Sequence, residues 1–479
     1  MRKLIACLLA VVLLAGVLPG AGLAEETPTL KVYLFDPEKT DSALVEEALS
    51  KLVCEKIGCN VDIVWRGANG YFQSMALALA SNEQMDVVFD HSGSGWYDRA
   101  KQGAYMDLTA LLELTPTLKS SLPDYVWTAA LVDGKIALVP TYKDLCIELG
   151  VYADHADIVA SGLDAASVHR TADLEPLLSY LADKEGSYVW QATSNGCGID
   201  ALERLSSFYD VHSNYIVARK DEPQTLLNYY MTDEYEAAVK LAYEFAQKGY
   251  IPVDAPTRDS SSYSTNGAGK NYGVSYTQYC PLAEIALSEA YGAQLDYIHM
   301  TQAVVTNDSL TGTGFCIPAK SEYPEYAIRF IELLSCDADV ANTLCYGVEG
   351  VHYNFDENGR VVRAENYTEL YNPALFAMGD IRARSLLATD PADKNEQYEA
   401  WNAKAVESPY LGFRVDKSEI EAYEASLETV AAEYAVLLSL GALDPAQYLP
   451  VFRQALIDAG AETVTANIQA QYDAWAAAK

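Results

Sequence analysis

The sequence predicts an α/β protein in which a parallel sheet is covered by helices. Two observations carry this. From Leu30 onward, apolar runs of strand length alternate with segments of helical period, and from Ile420 only long helical periods remain. LKVYLF is the first strand. Leu44, Val45, Ala48, Leu49, Leu52 and Val53 then repeat at helical spacing, and Gly58 ends that helix. VDIVW is a second strand, Tyr71 to Ala80 a second helix, and MDVVFD a short third strand without polar alternation. In such sheets ligands sit beyond the carboxyl ends of the strands. That draws attention to Asp36, to Trp65 and Arg66, and to Asp90, His91 and Ser92 with Trp96.

Further along, Asp133-Gly134 marks a tight turn, Ile136 to Val139 is an apolar strand, and Pro140 stops it before Thr141-Tyr142-Lys143-Asp144. A second run of elements begins near Cys146. It holds a helix over Leu174 to Leu181 and a clearer one over Tyr235 to Gln247, closed by Gly249. NYGVSY reads as a strand, Pro324 to Leu334 as a helix, and YNFDENGRVV as a hairpin. The chain closes with a helix over Ile420 to Leu440 and another ending in Trp475. No internal repeat is visible.

Met1-Arg2-Lys3, the apolar run Leu4 to Val17, Pro19-Gly20 and the small residues up to Ala24 have the form of a secretory signal cleaved after Ala24. The run is too short to span a bilayer, and no later segment approaches the roughly 20 apolar residues needed. Cys7 sits at the front of this run and is expected to leave with it. The chain carries 33 Lys and Arg against 67 Asp and Glu, a formal charge of −34, which repels nucleic acid and anionic membrane and favours solubility. Eight of its nine cysteines lie beyond the signal, in a compartment that permits disulfides. Spacing allows Cys54–Cys59 and Cys336–Cys345 bridges, with buried free thiols as the alternative. No C-x-x-C or H-E-x-x-H pattern supports a metal.

Nucleophilic hydrolase motifs are lacking: there is no G-x-S-x-G and no S-x-x-K. Gly267-Ala268-Gly269 stands before a strand instead of after one, so it reads as a connector and not a phosphate loop. Asp356-Glu357-Asn358-Gly359 reads as a hairpin turn and does not meet calcium-loop spacing. What stands out is the aromatic content, 34 tyrosines and six tryptophans. Aromatic faces stack on sugar rings while Asp, Asn, Gln and Arg bind hydroxyls, which suits an apolar-lined site with a few placed polar groups.

Several segments in order resemble the extracellular solute-binding proteins of bacterial ABC importers, in the lipoprotein-like, carbohydrate-type branch. They are SNEQMDVVFDHSGSGWYDRAKQGAYMDLTALL, LPDYVWTAALVDGKIALVPTYKD, YGVEGVHYNFDENGRVV, SPYLGFRVD, the Leu440-Gly441-Ala442-Leu443-Asp444-Pro445 turn and the terminal QAQYDAW. The resemblance implies a type II periplasmic-binding-protein-like fold: two α/β lobes, a hinge between them, and a helical C-terminal region. It divides the chain into the signal at 1–24, a first lobe at 27–141 and 306–346, and a second lobe at 142–305 completed by 347–479.

Val139-Pro140 is then expected where the chain leaves the first lobe, with Tyr142 and Lys143 on the hinge. The resemblance places Trp96, Tyr142 and Tyr276 as stacking or hydroxyl contacts to a ligand, and Asp90 and Glu349 as acceptors, with Trp65 and Trp401 as further ligand-binding candidates. Glu349, between two glycines, could equally cap backbone N–H groups. Gram-positive relatives carry a lipidated cysteine after the signal where this sequence has Glu25, so it is expected to be periplasmic in a two-membrane cell, retained differently, or not strictly an importer subunit. The implied function is a secreted, non-enzymatic monomer without cofactor that captures a sugar or oligosaccharide and delivers it to an ABC permease. Two alternatives stay open. One is a peptide- or amino-acid-binding member of the same fold using Arg66, Lys143 and Glu349. The other is a secreted carbohydrate-active enzyme with paired carboxylates.

Overall fold

The computed structural model describes residues 27–81, 83–186, 188–259, 263 and 272–479. The expected signal, Cys7 and Gly267-Ala268-Gly269 lie outside the described residues. In the first lobe, strands Thr29–Phe35, Asn60–Arg66 and Val87–Asp90 are parallel, with Val32 opposite both Ile63 and Val87. The helix Ser42–Ile57 buries Val45, Leu49 and Val53, one apolar stripe at successive turns, and Gly58 ends it at φ 79°, a left-handed cap that a Cβ disfavours.

The sheet has five strands and is mixed, not purely parallel. Beside Val87–Asp90 lies Gly314–Cys316, antiparallel to both its neighbours, and Val139–Pro140 forms the edge. The reason is topological: Gly314–Cys316 enters the sheet from the other lobe, not through a helical crossover. Gly314 is required there, since a Cβ would lie 2.7 Å from the Val139 carbonyl oxygen.

One apolar core joins this sheet to the helices Pro324–Cys336 and Ala338–Tyr346 and also to Tyr353, Val361, Tyr371, Ala377 and Met378. The assignment of everything after residue 346 to the second lobe is therefore corrected. The hairpin Tyr353–Phe355/Val361–Arg363 and the segment to Met378 pack on the first lobe, because their apolar residues complete its core. The second lobe is built on two small antiparallel sheets. One centres Leu149–Asp154 between Ser275–Gln278 and Leu295–His299, and the other orders Leu226–Asn228, Ile216–Arg219 and Phe208–His212. Helices Asp233–Gln247, Glu421–Ser439, Pro445–Asp458 and Ala461–Ala478 cover them.

The chain crosses between the lobes in segments that lie side by side. Ile147 and Val304 exchange backbone hydrogen bonds of 2.8 and 2.9 Å, and Val406 and Ser408 donate to Ala303 and Val305 at 3.0 and 2.9 Å. Asn402 stitches the ribbon from the side, accepting from Leu145 N at 2.9 Å and donating to the Lys143 carbonyl at 2.8 Å. Ser309 adds a bond to the Leu145 carbonyl. Tyr142, Leu145, Cys146, Val305, Ile381 and Leu411 make the apolar filling of this hinge.

Neither of the cysteine bridges that spacing allowed is formed, and the eight described cysteines are free thiols. No described helix is long and apolar enough to cross a membrane. Asp90 is a fully buried charge, held by Arg99 at 2.6 Å. Arg99→Met leaves that carboxylate buried without its cation and is expected to cost about 3–5 kcal/mol. A denaturant titration of the purified variant reads this as a large loss for the first lobe, and an unchanged midpoint refutes it.

Candidate functional site

Most of the side chains expected at the ligand are occupied elsewhere. Asp90 ends the third strand as anticipated, but none of its surface is exposed. Its carboxylate accepts from both Nε and Nη2 of Arg99, from the hydroxyls of Tyr105 and Ser94, and from His91 N. With its lone pairs used inside the lobe it is a structural clamp, and the acceptor role expected of it is corrected. Trp96 is equally buried, under the Arg414 guanidinium 5.7 Å from its ring, so it supports a neighbour and presents no face. Trp65 is buried edge-on to Tyr371 in the first lobe.

Tyr142 reaches the hinge as expected, yet it fills it. Arg382, anchored by Asp380 and the Ser121 carbonyl, lies 3.5 Å over its ring. Trp401 packs at 4.6 Å, edge to face, on Tyr279 beside that core. Glu349 is exposed in the turn after Ala338–Tyr346, next to the hairpin strand at Tyr353. Of the expected residues, Tyr276 alone lines one of the two hollows described next.

The larger hollow is a 650 Å³ cavity in the second lobe, walled by the segment Gln191 to Asp200, by Arg204, Tyr229, Tyr230 and Tyr263, and by Ser275-Tyr276. Tyr276 lies within the strand Ser275–Gln278, opposite Val151, and not after it. Its ring stands against Gly198, which opens the helix Ile199–Ser207 at φ 82°. A Cβ there would lie 2.1 Å from the Tyr276 ring, so this glycine is fixed both by backbone conformation and by contact. Tyr229 donates to the Asp200 carbonyl at 3.0 Å, and the Asn228 side chain caps Tyr230 N at 3.1 Å, which sets both rings on the cavity wall.

Burial, reinforced by the charge of Asp200, pushes the Tyr276 and Tyr230 hydroxyls up to about 12, so both remain protonated donors. Among the described residues, no hydrogen bond or ion pair ties the Asp200 carboxylate, which is free to accept from whatever enters. Arg204, behind it, donates to the Asn214 carbonyl and pairs with Asp210 at 3.4 Å.

A second, smaller hollow of 180 Å³ adjoins the first across Ser213 and Asn214, which line both. These residues sit at φ 50° and 60° in the tip of the hairpin joining Phe208–His212 to Ile216–Arg219, a strained backbone held by the bond from Arg204. The rest of the lining combines Tyr209, Asp210 and His212 with the crossing residues Gln302 to Asp308 and with Tyr410, Phe413 and Arg414. Arg414 reaches into the first lobe: it pairs with Asp308 at 2.9 Å, donates to the Ala129 carbonyl and lies 5.1 Å over Tyr97. Ser92 of the first lobe in turn donates to the Asp308 carbonyl at 3.0 Å. The two hollows thus run from the lobe boundary out over the second lobe.

The arrangement pairs aromatic faces with hydroxyl, amide and carboxylate groups, and no described group of His, Cys, Asp and Glu is placed to hold a metal. Sequence reasoning missed Asp200, Arg204, Tyr229 and Tyr230. The available signal was Gly196-Cys197-Gly198 opening a helix, followed by a tyrosine pair, neither of which has a specific spacing.

Comparison with known proteins adds the fold's relatives. Residues 409–477 match a family described as a domain of unknown function (DUF3502). A "Carbohydrate ABC transporter substrate-binding protein" of Streptococcus pneumoniae is 24% identical over 94% of this chain and 91% of its own length. The crystal structure of the N-glycan transport solute binding protein NgtS from Streptococcus pneumoniae superposes with a TM-score of 0.84, at 22% identity, over 93% of this chain and 98% of that one. The fold is that of the two-lobed solute-binding proteins. A solute-binding protein from Bifidobacterium longum infantis described as HMO-binding and ABC-transporter-associated shares it, with a TM-score of 0.68 at 16% identity over 94% of this chain and 99% of that one.

Gly198 is the point at which this site is most exposed to a single change. Gly198→Ala puts a methyl into the Tyr276 ring and a side chain onto left-handed backbone, the latter alone costing about 1–2 kcal/mol. The expected outcome is a lower melting temperature with Tyr276 displaced in a crystal structure of the variant. A variant as stable as the parent with the ring in place refutes the assignment.

Proposed function

We propose that this protein captures an oligosaccharide in the cleft between its lobes and passes it, chemically unchanged, to the membrane permease of an ABC importer, working outside the cell membrane. The observation that carries the reading is the 650 Å³ cavity, whose tyrosine rings and Asp200 carboxylate, unpaired among the described residues, have the mixed aromatic and acceptor lining that sugar recognition needs. The adjoining hollow across Ser213 and Asn214 favours a ligand of more than one ring. The relatives agree in kind: one is named for carbohydrate, and NgtS has been crystallised with Man1GlcNAc and with Man5GlcNAc.

Hinge closure is the mechanism this reading calls for. A ligand touching both lobes favours the closed state by its differential affinity, and the hinge ribbon is the element that bends. The three NgtS structures superpose on this chain to different extents. At the same 22% identity the TM-score is 0.84 against one NgtS structure, but 0.76 and 0.73 against the Man1GlcNAc and Man5GlcNAc complexes. A peptide ligand fits less well, because Lys143 is paired with Asp144 at 3.4 Å and neither Arg66 nor Glu349 lines the cavity.

Isothermal titration with oligosaccharides tests the reading, with small-angle scattering to follow closure. Binding without release of smaller sugars, accompanied by compaction, is the expected result. Tyr276→Ala and Asp200→Ala should each weaken binding by about 1–3 kcal/mol, roughly 5- to 150-fold in Kd. Hydrolysis of the sugar, or tight binding to peptides alone, would sink the proposal.

A further inference from the structure

The cleft's charges carry a finer statement about its ligand, resting on the sugar-binding reading. We infer that the site selects neutral oligosaccharides and rejects those bearing a carboxylate, because the Arg204 guanidinium is taken by Asp210 and the Asn214 carbonyl, which leaves the neighbouring Asp200 carboxylate without a paired cation among the described residues. Among the described residues, the charged side chains around the larger cavity are Asp200 and Arg204. The smaller adds Asp210, His212, Asp308 and Arg414. Arg414 is taken by Asp308 at 2.9 Å, and His212 by Glu424 at 2.6 Å. Arg204 is taken by Asp210 at 3.4 Å and by the Asn214 carbonyl, and it is 8% exposed. Among the described residues this leaves Asp200 as a surplus negative charge at the mouth of the helix Ile199–Ser207, facing the space a ligand would fill.

The first lobe supplies no compensating cation to these hollows. At its strand ends Lys39 pairs with Asp36 at 3.1 Å and Arg99 with Asp90 at 2.6 Å, and on the hinge Lys143 pairs with Asp144. Arg66, exposed at the end of its strand, lines neither hollow. A ligand carboxylate would be repelled by Asp200 and would have to displace Asp210 from Arg204 in a half-enclosed space where charge is poorly screened. A neutral sugar meets the same groups differently: its hydroxyls donate to Asp200 and accept from Tyr276 and Tyr230.

The test compares a neutral oligosaccharide with the same chain ended in a uronic acid, both titrated into the full protein by calorimetry. The neutral sugar is expected to bind about tenfold or more tightly than its acidic analogue, a gap of the size that one unscreened like charge produces. Asp200→Asn, which keeps an acceptor but removes the charge, should narrow that gap severalfold. Should it not fold, Asp210→Asn removes the carboxylate that occupies Arg204 and must narrow the gap likewise. Glu325→Gln, on the first lobe's helix Pro324–Cys336 and outside both hollows, should leave the gap as it is. Equal or tighter binding of the acidic sugar overturns the inference and leaves the sugar-binding reading standing. A gap that Glu325→Gln closes as well assigns it to overall charge and overturns the role of Asp200. If neither sugar class binds, the sugar-binding reading fails, and this inference with it.

Discussion

The rest of the structure depends on the hydrogen-bonded ribbon in which the lobe crossings meet. Ile147, Val304 and Val406 lie abreast there, joined by backbone bonds, with Asn402 bridging the Lys143 and Leu145 peptide groups from outside the ribbon. Each lobe has its own apolar core, and what joins them beyond this ribbon is polar: the Arg414 contacts, the Ser92 bond to the Asp308 carbonyl, and the Lys101–Asp416 and Lys417–Asp98 ion pairs. Paired backbone is a suitable material for a hinge. Its bonds survive bending through small changes in several dihedrals, whereas an interlocked apolar interface would resist.

Around that hinge the protein separates two uses of charge. In the first lobe the strand-end carboxylates are consumed internally: Asp90 by Arg99, Tyr105 and Ser94, and Asp36 by Lys39. These groups fix the loops that face the cleft and do not themselves reach into it. In the second lobe the pairing is left incomplete, with Arg204 serving Asp210 and a backbone carbonyl while Asp200 stays open to the cavity. A buried carboxylate without a partner is costly, so an unpaired one is kept where solvent or a ligand can solvate it. The tyrosines complete the division: Tyr142 is wedged into the hinge, whereas Tyr276, Tyr229 and Tyr230 line the wall of the cavity.

The sequence reading was accurate where the signal is local. The helices over Ser42–Ile57, Tyr71–Ser81, Asp233–Gln247 and Pro324–Cys336, and the first three strands with their parallel pairing, all follow from apolar period and breakers within a few residues. It was poor where partners are distant in sequence. Asp90 occupies the position at which a parallel sheet usually meets its ligand, but Arg99 and Tyr105 fold back onto it, and no pattern of residue types announces that they will. Tyr276 lies in a strand of the second lobe, while Asp200 and Arg204, on one helix, and Tyr230 reach the same cavity from two other segments.

The sequence by itself determined that this is an α/β chain with a helical C-terminal region, that it is strongly acidic, and that it is rich in tyrosine. Those properties belong to composition and local period, which every conformation of the chain shares. Only the tertiary structure decided that residues up to Met378 complete the first lobe, that the crossings form one ribbon, and that Asp200 faces a cavity while Asp90 does not. The physical reason is that burial and pairing are properties of two or more segments at once. They appear only when packing has decided which segments meet.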